Sequence, residues 1–252
     1  MRRYLPFAII GAVLLIAAGS GLLLFRSKHS STPIKVAPGK PGAEPSHIRG
    51  AANARVTLEE FGDYQCMPCG LLAATLLKVE HAYETRVRVV FRQFPLDMHA
   101  HALTAACAAE AAGVQGRFWE MHDLLFQNAM NWSKESPRPF RRVIPSAGPS
   151  ASPDETATGV RAIFAGYAAT LGLDVERFKK DMDAEQVRDR IKSDQERGAS
   201  IGVDRTPILF IDGVEIPFSS FNVEALQAVI DAALNGQPPE PLPPSPTPVP
   251  PK

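Results

Sequence analysis

The sequence predicts an α/β domain whose strand-bearing halves are separated by a long helical block. Three observations predict it. Residues 56–61 alternate like a strand and lead through a short loop into Cys66-Met67-Pro68-Cys69 and the helical run of residues 71–77. Residues 100–130 and 163–182 carry apolar side chains at helical spacing, and a polar helix follows over about 184–199. Residues 206–214 then read as strand, turn and strand, with Asp212-Gly213 as the hairpin signal.

Composition bounds the rest. Of 252 residues, positions 1–46 and 237–252 do not read as globular, which leaves about 190 for a core, enough for one domain. Lys plus Arg and Asp plus Glu each number 27, and no basic patch stands out, so a nucleic-acid partner is not indicated. Three cysteines are too few for a disulfide framework; one working pair and one buried thiol fit better.

The chain opens with Arg2 and Arg3, followed by an uncharged apolar run of about 21 residues, 5–25, before Arg26 and Lys28. This length predicts an N-terminal membrane anchor over residues 1–26, with a cleaved signal peptide ending near Ala17-Ala18-Gly19 as the competing reading. The two leading arginines favour an exported domain. Residues 27–46, rich in Ser, Pro, Gly and Lys, read as a linker, so the folded domain is expected over 47–236.

On the first central strand, Val56, Leu58 and Glu60 share one face, and Thr57, Glu59 and Phe61 the other. Glu60 is therefore a carboxylate on a buried strand just ahead of the cysteine pair; an edge-exposed acid is the alternative. Cys66 is placed at a helix N-terminus, where free N–H groups and about half a positive charge favour a thiolate. Cys69 lies one turn on. Half of a zinc site would need a second Cys-x-x-Cys or Cys-x-x-His, and the chain has neither.

After a helix over 70–83, residues 87–94 make a second alternating strand. Cys107 sits on the apolar face of the alanine-rich helix 100–113, as a small core residue rather than a regulatory or metal-binding thiol. Phe118, Met121, His122 and Leu125 share a face of the next helix. Residues 133–158, with five prolines, read as an irregular insertion. Asp174 and Asn222 are placed to cap the helices that follow them, and residues 237–252 form a proline-rich extended tail.

Three stretches together carry a resemblance: residues 56–69, residues 115–126 (Gln-Gly-Arg-Phe-Trp-Glu-Met-His-Asp-Leu-Leu-Phe), and Gly202-Val203-Asp204-Arg205-Thr206-Pro207 with Phe210-Ile211-Asp212-Gly213. In these the sequence closely resembles the DsbA-like branch of the thioredoxin superfamily. The resemblance implies a thioredoxin fold with a helical insertion at about 97–201, here preceded by one transmembrane helix. It implies a thiol:disulfide oxidoreductase whose redox-active group is the Cys66–Cys69 disulfide, without a further cofactor. Cys66 would be the exposed reactive sulfur and Cys69 its buried partner. Glu60 would act as the buried acid beneath them, with Arg92 a candidate cationic neighbour. Pro207 would be the cis-proline, where sequence alone also allows a trans strand start. Thr206, Arg205, Met67 and Pro68 would border the substrate peptide.

The Met-Pro dipeptide departs from the His that strong oxidants of the family carry before the second cysteine, and it leaves the direction open between forming disulfides and reducing or isomerising them. Expected partners are exported cysteine-bearing proteins and a quinone-linked membrane reoxidant of the DsbB or VKOR type. The chain is read as a monomer, held at the inner membrane with its domain in the periplasm or an equivalent space. A non-catalytic module binding unfolded proteins, or a metal through Cys66, Cys69, His99 and His101, is the reading from another class.

Overall fold

The structure is a computed structural model that describes residues 39–133 and 153–237. Strands β1 (His47–Gly50), β2 (Val56–Gly62), β3 (Val87–Gln93), β4 (Ile208–Ile211) and β5 (Val214–Ile216) form one sheet in the order β1-β3-β2-β4-β5. Only β2 and β3 pair in parallel; the other three pairings are antiparallel. The parallel pair needs a crossover connection, and helix α1 (Met67–Tyr83) provides it.

One face of the sheet is covered by α1 and the last helix, α8 (Val223–Leu234). There Leu58 and Val89 meet Leu72, Leu76 and Val79 of α1, and Leu209 and Ile211 meet Leu226, Val229 and Ile230. Each fully buried aliphatic side chain contributes about 1.5–3 kcal/mol. As expected, Asn222 caps α8, its Oδ1 accepting from Ala225 N–H at 2.9 Å. Asp212 and Gly213 both take positive φ, 48° and 79°, as a two-residue hairpin turn requires.

The helical block between β3 and β4 comprises α2 (Ala102–Val114), α3 (Phe118–Gln127), α4 (Ala129–Trp132), α5 (Pro153–Thr170), α6 (Val175–Asp181) and α7 (Glu185–Ser200). The alanine face of α2 lets Phe118, Met121, Leu125, Trp132, Phe164 and Phe178 close around it. Cys107 is buried in this core, where burial pushes its thiol up to about 11. Asp174 Oδ1 caps α6 by accepting from Arg177 N–H at 3.0 Å.

The other face of β2 and β3 is bound to α7 by ions. Glu59 accepts from Arg92 Nε at 2.9 Å and from Arg197 Nη2 at 2.6 Å, and Asp194 accepts from Arg92 Nη1 at 3.1 Å. Asp194 also accepts from the N–H groups of Ala43 and Gln93, at 2.8 and 3.1 Å.

Three boundaries differ from the sequence reading. Residues 39–46 are not free linker: Ala43 is buried, and Arg92 Nη1 and Arg190 donate to the carbonyls of Ala43, Glu44 and Pro45. The irregular insertion ends earlier than residue 158, because α5 begins at Pro153; Pro followed by Asp and Glu is a helix-start sequence. Helix α1 begins at Met67 rather than residue 70, with Pro68 in its first turn, where a missing N–H costs nothing. The anchor over 1–26, the insertion at 134–152 and the tail at 238–252 lie outside the described residues. Among the described residues no helix is long and apolar enough to cross a membrane.

Gly62 closes β2 against the ring of Phe91. A Cβ there would stand 2.5 Å from Phe91 Cε2 and 2.8 Å from Cζ, and Phe91 is itself wedged among Tyr64, Phe118, His122 and Phe126. Gly62→Ala is expected to destabilise the fold by about 1–3 kcal/mol in denaturant unfolding, the cost of overpacking a core that cannot yield.

Candidate active site

The end of β2 delivers the chain to the N-terminus of α1, and the loop before β4 arrives opposite it. Cys66 is the N-cap of α1, with φ −78° and ψ 113° and no side-chain capping bond. Its carbonyl accepts from the N–H groups of Cys69 at 3.1 Å and Gly70 at 3.3 Å, so the sulfur is left to the helix N-terminus. Both cysteines carry free thiols. The Cys66 thiol donates to the Thr206 carbonyl at 3.6 Å. Thr206-Pro207 is cis, and Pro207 is buried. The structure therefore brings Cys66, Cys69, Thr206 and Pro207 together.

Cys66 is not the exposed sulfur expected of it, since the turn at the N-terminus of α1 and the Thr206 loop leave it only 8% accessible, yet the two thiols differ sharply. Cys66 is drawn down to about 6, first by a hydrogen bond from Cys69, then by the Thr206 side chain and the Cys69 N–H, against burial and the charge of Asp63. The Thr206 hydroxyl is buried without a hydrogen-bond partner among the described residues, so it is available to an ionised sulfur. Cys69 is wholly buried and lies far above the ordinary thiol range, through burial first, then its bond to Cys66 and the charges of Glu60 and Cys66. One sulfur is ready to ionise at neutral pH; the other is held as a thiol.

Glu60 is buried, not edge-exposed. Its carboxyl is pushed up to about 8 by burial, with Cys66 and Glu80 adding to the rise and Arg49 opposing it. Its Oε1 has no hydrogen-bond partner among the described residues. Arg92 is not its cationic neighbour. The β2–β3 register pairs Glu60 with Phe91 and Phe61 with Arg92, which places Arg92 on the opposite face, with Glu59. The cation on Glu60's face is Arg49 of β1, paired to Val89 as Leu58 is. Arg49 Nη2 donates to Glu80 at 3.0 Å and Nη1 to Asp123 at 2.9 Å, and the guanidinium lies 4.4 Å above the Trp119 ring.

Met67, Leu71 and Phe218 are exposed by 79%, 67% and 63%, and a shallow apolar groove runs along Pro68, Leu71, Phe218 and Phe221. Large apolar surface left in water marks a contact site. Arg205 turns along the surface to Asp204 and Glu215, at 2.9 and 3.3 Å; exposed pairs of this kind hold little energy. His99 Nδ1 lies 2.7 Å from Asp63 Oδ2, and His101 N–H donates to Gln65 Oε1 at 2.7 Å. Among the described residues no group of three His, Cys, Asp or Glu side chains could hold a metal ion. Sequence reasoning passed over Asp63, Gln65 and Arg49. Only Asp63 carried a local signal, as an acid three residues ahead of Cys66.

A thioredoxin family profile matches residues 43–232. A thioredoxin-like oxidoreductase from Silicibacter pomeroyi is 27% identical, with a TM-score of 0.56 over 76% of this chain and 94% of that one. Alpha-DsbA1 of Wolbachia pipientis shares the fold at 19% identity, with a TM-score of 0.57 over 77% of this chain and 92% of that one. A Na(+)/H(+) antiporter NhaA 1 of Salinispora arenicola is 35% identical over 191 residues, which are 75% of this chain; the chain spans about a quarter (25%) of that relative's length. The chain belongs to the thioredoxin family, and in it a helical block between β3 and β4 divides the fold.

Proposed function

We propose that this protein oxidises cysteine pairs in exported proteins through Cys66 and Cys69. One observation carries the reading: the split between Cys66, drawn down to about 6, and Cys69, held as a buried thiol, with the Thr206 carbonyl 3.6 Å from the reactive sulfur. A low thiolate pKa stabilises the reduced form and makes the disulfide an oxidant.

In the disulfide form, a substrate thiolate attacks Sγ of Cys66 and the Cys69 sulfur leaves, taking up a proton through Glu60. The second substrate thiolate then attacks the substrate sulfur of the mixed disulfide, and Cys66 leaves as a thiolate. Two electrons pass from the substrate dithiol to the Cys66–Cys69 pair. Met67, Pro68 and the groove at Phe218 give an unfolded chain an apolar rest beside the reacting sulfur, and Thr206 offers it a backbone carbonyl. Turnover requires an electron acceptor, for which a quinone-linked membrane protein of the DsbB or VKOR type is the partner; residues 1–26 would hold the two together outside the cytoplasm.

The opposite direction has one observation in its favour. A carboxyl at about 8 near Cys69 is suited to take its proton when Cys69 resolves a mixed disulfide formed by attacking Cys66. Acid trapping of free thiols in the full chain, taken directly from cells, separates the two. A mostly oxidised pair is the expected result; a mostly reduced pair overturns the oxidising direction and leaves a reductase or isomerase.

A further inference from the structure

Asp63 follows β2 directly and is saturated by the loops around it. Its Oδ1 accepts from Gln65 N–H at 2.7 Å, and its Oδ2 accepts from Leu96 N–H at 2.9 Å and meets His99 Nδ1 at 2.7 Å. None of the Asp63 side chain is exposed, whereas 21% of the His99 side chain is. A carboxylate taken wholly out of water needs a compensating partner, and His99 is the side chain bonded to it that can carry a proton. Asp63 also reaches the nucleophile in two ways. Its carbonyl accepts from Cys66 N–H at 3.1 Å, and its charge opposes ionisation of the Cys66 sulfur.

We propose that Asp63 and His99 form a positioning pair that couples the ionisation of Cys66 to a proton on His99. With His99 protonated the pair is neutral; with His99 neutral, one uncompensated negative charge stands near the sulfur. Each proton held by His99 therefore favours the loss of one from Cys66. The other groups facing Cys66 are Cys69 of α1, Glu60 of β2 and Thr206 of the loop before β4. Asp97 and His101 share the loop of His99. The exposed edge of His99 opens the pair to solvent, while the Asp63 carboxylate is wholly shielded from it.

This rests on Cys66 being the reactive sulfur, and the test reports on that separately. The reduced full-length chain is alkylated with iodoacetamide across pH, and the modified cysteine is identified by mass. His99→Asn keeps a side-chain donor for Asp63 but cannot carry the charge. It is expected to move the alkylation midpoint of Cys66 up by about one unit, a tenfold loss of thiolate below the midpoint. In the Asp63→Asn background, His99→Asn is expected to have no further effect, because the charge it compensates is gone. An unchanged midpoint in His99→Asn with a lowered unfolding temperature overturns the inference and leaves the pair as a loop clamp. If Asp63→Asn does not fold, the sign of the single-variant shift still decides. Alkylation found on Cys69 or Cys107 in the wild type would instead refute the assignment of Cys66.

Discussion

Replacing Cys66 by serine is expected to reduce disulfide exchange to background, a loss on the order of a thousandfold or more. The reason is specific to this sulfur. Cys66 retains only 8% of its surface, at the N-terminus of α1 and against the Thr206 carbonyl, and it is the thiol drawn into the neutral range. A serine hydroxyl fits the same space but does not ionise there, so volume is kept and chemistry lost. Cys69→Ser leaves the Cys66 thiolate able to attack a substrate disulfide but removes the sulfur that would release it, so a stable mixed disulfide should accumulate. Cys107→Ser is the control: its sulfur is buried in the helical block and pushed up to about 11, and exchange should continue at the wild-type rate. Reduced insulin or a scrambled cysteine pair can serve as substrate. Wild-type exchange by Cys66→Ser would remove the proposed mechanism.

What could be read along the chain was local. The alternation in β2 buried Glu60, the Cys-x-x-Cys spacing set both sulfurs at one helix end, and Asp174, Asn222 and Asp212-Gly213 marked their own caps and turn. Each of these rests on neighbours within a few residues, where periodicity and turn chemistry are strong. The ionic partners were not legible because they depend on strand order and register. Arg92 looked suited to Glu60 by being on the next strand, yet a parallel register one residue displaced puts it with Glu59. Arg49 reaches Glu60's face only because β1, a short edge strand, pairs antiparallel on the far side of β3. Asp63 and His99, 36 positions apart, meet where two loops close at the ends of β2 and β3. The apolar groove likewise joins α1 to the segment after β5, which no local pattern connects.

Glu60→Gln is expected to stabilise the reduced protein while slowing it, and the two effects share one cause. In the fold the carboxyl is raised from 4.5 to about 8, because burial penalises its charged form. For an acid whose folded value is raised, the folded state binds more protons than the unfolded state between those two values. Stability therefore falls as pH climbs from about 4.5, and the loss is complete once pH passes about 8. Glutamine presents a neutral group of the same shape to the same surroundings and does not titrate. The variant should thus match the wild type below pH 4.5 and exceed it progressively above, by roughly 3 to 5 kcal/mol near pH 8. Urea unfolding of the reduced chain across this range measures it directly. The same substitution removes the group proposed to exchange a proton with Cys69, so the step in which Cys69 leaves or attacks should slow about a hundredfold. A stabilisation independent of pH would show that Glu60 does not titrate in the fold. Stabilisation with an unchanged exchange rate would keep its burial and remove its proton from the mechanism. A carboxyl group held at this cost in the core, with its Oε1 unpartnered among the described residues, is the kind of local instability that a working site retains.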